Sequence, residues 1–132
     1  MLGDKSVIPT LAVGDMERAR DFYENTLGLK QPPGMPEGAD VDAVVYQAGS
    51  SGVLVYLSAY AGTNQATAAA WGVGDDFDSI VEALTNKGVT FERYDDLPDT
   101  TREGDIHITG EMKSVWFKDP DGNILNVGNV SM

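Results

Sequence analysis

Apolar positions in this chain follow two periods, and the order in which they do so occurs twice. The stretch "SVIPTLAV" (6–13) alternates as a strand does, with Pro9 suggesting an edge or an irregular start. In "GDMERARDFYENTLG", Met16, Ala19, Phe22, Tyr23 and Leu27 recur at helical spacing. Asp15 is placed to cap that helix, and Gly28 supplies a left-handed stop. The second half repeats the signal. "AAAWGV" (68–73) reads as a strand and "GDDFDSIVEALTNKG" as a helix, with Asp75 or Asp76 as cap, a Phe77-Ile80-Val81-Leu84 stripe and Gly88 as stop.

Val13-Gly14-Asp15 and Val73-Gly74-Asp75 lie 60 residues apart, and so do Gly28 and Gly88, which indicates an internal duplication. Three strand candidates follow each helix, at 29–32, 42–48 and 52–59 and then at 89–94, 112–118 and 123–129. The hairpin turns are "AGSSG" and "KDPDG", and residues after Gly52 and Gly122 correspond at an offset of 70. The extra ten residues fall in 95–111, "DDLPDTTREGDIHITGE", predicted as a long loop. The expected class is α+β, a single domain of two tandem βαβββ modules, residues 6–60 and 66–130.

A sheet with its helix on one side leaves the other side free, and strand alternation sorts residues between the two. Pro9, Leu11 and Val13 are expected on the helix side, with Ile8, Thr10 and Ala12 free. Val53, Val55 and Leu57 point inward, leaving Leu54, Tyr56 and Ser58. Ala69, Trp71 and Val73 likewise leave Ala68, Ala70 and Gly72. Val115 and Phe117 are core positions, so Met112, Ser114 and Trp116 are free, beside Ile124 and Asn126 of the last strand.

Composition narrows the function classes. Nine Lys and Arg against 21 Asp and Glu give a formal charge of −12, which repels phosphate backbones and anionic lipid and would draw a cationic small molecule. Nucleic acid and membrane are therefore not expected partners. The absence of cysteine removes disulfides, thiolate nucleophiles and cysteine-ligated zinc. "MLGDKSVIPT" has no apolar run long enough for a signal peptide or a membrane span, so a cytoplasmic location is expected.

The βαβββ duplication, together with "VGDMERARDFYENTLGL" and "WFKDPDGNIL", resembles the vicinal oxygen chelate superfamily over nearly the whole chain. That group contains glyoxalase I, extradiol dioxygenases, fosfomycin-modifying enzymes and bleomycin-resistance proteins. The resemblance implies mixed, strongly curved sheets forming a cup, and a homodimer, because members of this size often pair half-domains across a two-fold; pairing within the chain is the alternative, which would give a monomer. In metal-dependent members the cup holds a divalent metal on His, Gln or Glu from strands one and four of each half. The matching positions here are Ile8, Tyr56, Ala68 and Asn126. Ile and Ala carry no ligand atom, Tyr is an infrequent ligand and Asn a weak one, whereas a catalytic site needs about three good donors. The resemblance therefore implies a member without the usual metal ligands, and no cofactor is expected.

Aromatic walls with a few polar groups are what small-molecule sites offer. Trp116 and Tyr56 are the candidate walls, with Asn126, Ser114, Thr10 and Ile8 beside them. His107, the only histidine, lies in the predicted loop between Asp105 and Glu111. It is either a loop-bracing residue or an acid–base group reaching over the cup, and a relocated metal site on Asp105, His107 and Glu111 is a further reading. Arg102 either holds a ligand carboxylate or pairs with a neighbouring acid. Asp119-Pro120-Asp121-Gly122 reads as a structural turn, since Pro presets φ and Gly supplies positive φ. The leading expectation is a metal-independent small-molecule-binding protein, in keeping with bleomycin-resistance proteins, which sequester a drug without changing it. The alternatives are an enzyme using His107, with or without a relocated metal, and a domain whose concave face is filled.

Overall fold

The computed structural model describes residues 1–34 and 42–131; residues 35–41 of the first module and Met132 lie outside the described residues. Two units divide the chain, Met1–Asn64 with Pro120–Asn123, and Gln65–Asp119 with Ile124–Met132.

In the first unit, β1 (Thr10–Val13) runs parallel to β3 (Ser51–Leu57), and β3 is antiparallel to β2 (Ala43–Ala48). The strand expected at 6–13 starts later because Pro9 has no N–H for the ladder, although its carbonyl still accepts from Leu54 N–H at 3.0 Å. Asp15 caps α1 (Met16–Arg20) by accepting from Arg18 N–H at 3.1 Å. The helix continues as a π-turn over Asp21–Thr26 and stops where Leu29 N–H reaches Tyr23 O at 2.9 Å across Gly28, at φ 74°. The strand expected at 29–32 is reduced to one bridge, Lys30 to Gln47, because Pro32 and Pro33 remove the next donors. Leu11, Val13, Ala19, Tyr23, Val44, Tyr46, Val53 and Val55 form the buried core of this unit. The buried Tyr46 hydroxyl donates to Glu24 Oε2 at 2.9 Å, and burial together with that carboxylate raises its pKa above the usual phenol range.

The turn Pro120–Asn123 belongs to this unit. Asp121 Oδ1 accepts from Gly14 N–H and from Arg18 Nη2, both at 2.9 Å, and Asn123 Nδ2 donates to Ala12 O at 2.8 Å. A Cβ on Gly14 would stand 3.1 Å from Asp121 Oδ1, so the glycine admits the carboxylate. The Asp-Pro-Asp-Gly string is thus an anchor for the chain.

In the second unit, β4 (Thr67–Gly72) runs parallel to β9 (Ile124–Gly128), and β9 is antiparallel to β8 (Met112–Lys118). The first strand of each module therefore pairs in parallel with the last, as a duplication requires. The helix α2 (Phe77–Asn86) is entered through a 3-10 turn, Gly74–Asp76. Neither Asp75 nor Asp76 caps it through its side chain; instead Ser79 Oγ donates to Asp76 O at 2.9 Å. Gly88, at φ 87°, ends it as expected.

The segment 95–111, expected as a loop, remains one over 95–100 but forms a hairpin over 101–109. β6 (Thr101–Glu103) pairs with β7 (Ile106–Thr109), and β7 pairs with β8, giving the order β4-β9-β8-β7-β6. Gly104, at φ 60°, stands at its tip. Arg102 pairs with Asp95 at 2.8 and 3.3 Å and with Gly104 O at 2.7 Å, while Arg93 meets Asp105 at 2.9 Å. The strand expected at 89–94 is shortened to β5 (Phe91–Glu92). β8 shares its outer edge between the two neighbours: Met112–Ser114 face β7, and Trp116 and Phe117 face β5.

Candidate ligand-binding face

Residues opposite one another in a ladder share a face of the sheet. The register places His107 opposite Ser114, Glu92 and Asn126 on either side of Trp116, and Ala70 opposite Asn126. The helix-side set, Val115, Phe117, Leu125 and Val127, is buried. His107, Ser114, Trp116 and Asn126 are therefore brought onto one face of the second sheet, away from its core.

Trp116 is half-buried and held by three neighbours. Its Nε1 donates to Thr67 Oγ1 at 3.1 Å. The imidazole of His107 stands edge-on to the indole, centroids 4.8 Å apart at 89°, and Tyr94 meets it at 5.5 Å and 78°. These are the edge-to-face geometries aromatic quadrupoles favour. Nearby, Lys118 pairs with Glu92 at 3.1 Å, and Asn126 Nδ2 donates to Val115 O at 3.3 Å.

His107 is 1% exposed and lies in a strand, which corrects its expected place in a loop. The cause is β7, which carries it into the sheet. Its Nε2 accepts the backbone N–H of Tyr94 at 2.9 Å, which puts the ring proton on Nδ1. Nδ1 is buried and meets no hydrogen-bond partner among the described residues, and the same holds for the Tyr94 hydroxyl. Burial, reinforced by Glu92 and opposed by Lys118, raises the Tyr94 phenol above its ordinary pKa, so its oxygen stays protonated at neutral pH. The relocated metal reading fails on geometry. Asp105 is engaged by Arg93, His107 Nε2 by the backbone, and among the described residues no group of three His, Cys, Asp or Glu is placed to hold a metal.

The remaining candidates belong to the first unit. Thr10 lies opposite Leu54, and Tyr56 opposite both Ala12 and Ala43, so Thr10 and Tyr56 share one face of that sheet. Tyr56 is 36% exposed. Ile8 precedes β1 and is half-buried. Tyr94 and Thr67 were not singled out from the sequence. Alternation from the core residue Phe91 makes Glu92 the start of the other face, but Tyr94 joins it only because His107 takes its N–H.

Compared with known proteins, the chain matches the family model described as Glyoxalase/Bleomycin resistance protein/Dioxygenase superfamily over residues 7–127. The chain belongs to that superfamily. Among solved structures it is similar to an integron cassette protein from the mobile metagenome of the Halifax Harbour sewage outfall, at 17% identity and TM-score 0.67, covering 96% of this chain and 99% of that one. It is also similar to lactoylglutathione lyase from Agrobacterium tumefaciens, at 17% and 0.66, covering 96% and 94%. The fosfomycin resistance protein FosX from Mesorhizobium loti aligns at 15% and 0.65, covering 98% and 94%. At these identities the likeness is one of fold. No curated protein matches the sequence.

The superfamily's metal does not fit the residues present in this member. Ile8 and Ala68 have no donor atom, and Asn126 offers only a neutral amide oxygen, its nitrogen being donated to Val115 O. Tyr56 and Asn126 offer one weak oxygen donor each, short of the three good donors a site needs.

Proposed function

We propose that this superfamily member is a metal-independent small-molecule-binding protein whose ligand rests on the second sheet's free face, around Trp116. One observation carries the reading: a half-buried indole is fixed by Thr67, His107 and Tyr94 before any ligand arrives. A ring already ordered loses little entropy on binding. Ser114 and Asn126 supply polar contacts on the same face. The formal charge of −12 favours cationic or neutral ligands over anions, so sequestration of a drug or metabolite of that kind is the proposed role. Acid–base catalysis by His107 is not favoured, because Nε2 is occupied by the Tyr94 N–H and Nδ1, which carries the ring proton, has no lone pair left to act as a base.

The test is a chelator-stripped protein titrated with Ni²⁺, Zn²⁺, Mn²⁺ and Fe²⁺ by calorimetry, then screened thermally against aromatic cations and neutral aromatics. Stoichiometric metal binding would overturn metal independence. A ligand at a hundred times its dissociation constant should add roughly 2.7 kcal/mol of stability, and Trp116→Leu should abolish the gain.

A further inference from the structure

Two hydrogen-bond donors are left without acceptors in one aromatic cluster. His107 Nδ1 carries the ring proton because Nε2 receives the Tyr94 N–H, and the Tyr94 hydroxyl stays protonated. Both atoms are buried, and neither has a partner among the described residues. Native proteins seldom leave such groups unsatisfied, so each such group calls for an explanation. The rings that bear them stand 5.9 Å apart and both pack against Trp116.

Resting on the reading of this face as a binding site, we propose that it recognises a neutral oxygen acceptor, such as a carbonyl, carried on a planar ring. The ring packs against Trp116, and the oxygen is taken by Nδ1–H of His107 and O–H of Tyr94. Donors select an acceptor, which a simple cation does not offer. Neutrality follows from the charge of −12, which opposes a carboxylate or phosphate; Glu92, opposite Trp116 in the ladder, is paired with Lys118, and that pair adds no free cation to the face. Access runs through the indole. Its aromatic contacts hold it, and its single hydrogen bond among the described residues runs to the exposed Thr67, so a small tilt of the ring, and not its release, admits the oxygen.

Three probes with one ring system separate the alternatives: 1-naphthamide, 1-naphthoate and 1-naphthylmethylammonium. Each is titrated into the full chain at pH 7 while the Trp116 indole N–H and the His107 ring nitrogens are followed by ¹⁵N NMR. Naphthamide should bind about tenfold more tightly than either charged probe and should shift the His107 Nδ1–H signal downfield. Tyr94→Phe should remove most of that preference while leaving the ring stacked. Because the His107 signal is read in the unmodified protein, the proposal stays falsifiable if the variant fails to fold. Equal binding of all three probes, or a preference that survives Tyr94→Phe with no change at Nδ1, would overturn the acceptor assignment. The donors would then serve a bound water, and the binding face would stand. Failure of all three probes to move the Trp116 signal would overturn the face itself and the acceptor with it.

Discussion

Tyr94 gives its backbone N–H to His107 Nε2 at 2.9 Å, tying the chain that leaves β5 to the hairpin strand β7. The bond is part-buried, and the imidazole that accepts it is almost wholly so. Replacing the ring leaves a buried donor unsatisfied and removes the edge-on partner of Trp116. His107→Ala is therefore expected to cost about 2–3 kcal/mol in urea unfolding and to weaken the near-UV signal of Trp116. A loss below about 0.5 kcal/mol, the usual surface level, would mean that the hairpin does not depend on this bond.

Asp121 is the acceptor for Gly14 N–H and for the Arg18 guanidinium, and its side chain is nearly buried while Arg18 is half-exposed. Charge-assisted bonds of this kind outweigh neutral ones, but exposure of the arginine discounts the ion pair. Asp121→Ala should lower stability by about 1–2 kcal/mol, and Asp121→Asn, which keeps an acceptor for Gly14, by less. Equal losses in the two variants would place the effect in the charge, with Gly14 contributing nothing.

Tyr46 and Tyr94 should resist ionisation. Burial raises the phenols of Tyr46 and Tyr94, and Glu24 and Glu92 respectively push them further up. A folded pKa above the unfolded value of about 10 means that the protonated phenol's contribution is complete below that pH and is lost as pH rises through the folded value. Spectrophotometric titration should show a late phase that coincides with alkaline unfolding and shrinks in Tyr94→Phe. Ionisation of Tyr46 and Tyr94 near pH 10, with no late phase, would contradict it.

Acid should loosen the hairpin through Asp95. Its hydrogen bonds and charge interaction with Arg102 hold the carboxyl below the ordinary value. A depressed carboxylate contributes above its unfolded pKa, about 3.9, and the contribution disappears as pH falls through the folded value. Amide exchange across Thr101–Thr109 should lose protection below about pH 4, relative to β8 and β9. Asp95→Asn should show the looser exchange already at neutral pH, and an unchanged profile would show that Arg102 is anchored by Gly104 O alone.

Periodicity made both helices, the duplication and the strand pairs at 42–59 and 112–129 legible, because their signals are local. Asp15, Gly28 and Gly88 behave as expected, since a cap or a helix stop is satisfied within a few residues; the Asp-Pro-Asp-Gly string is the expected turn, but Asp121 finds its partners in Gly14 and Arg18, far away in the chain. Alternation alone also placed Trp116, Ser114 and Asn126 on one face. What it missed was the hairpin at 101–109. Its strands are short and polar, and only pairing with the outer edge of β8 makes them stable. With the hairpin went the site of His107, read as a loop residue and found inside the sheet. The role of Tyr94 was missed for the same reason, since its partner arrives from 13 residues away. Sequence by itself determined which residues could build the elements and which face each strand offers, because side-chain direction alternates with chain position. Tertiary structure decided which donors are left without acceptors around Trp116, because burial and cross-strand register depend on neighbours distant in the chain.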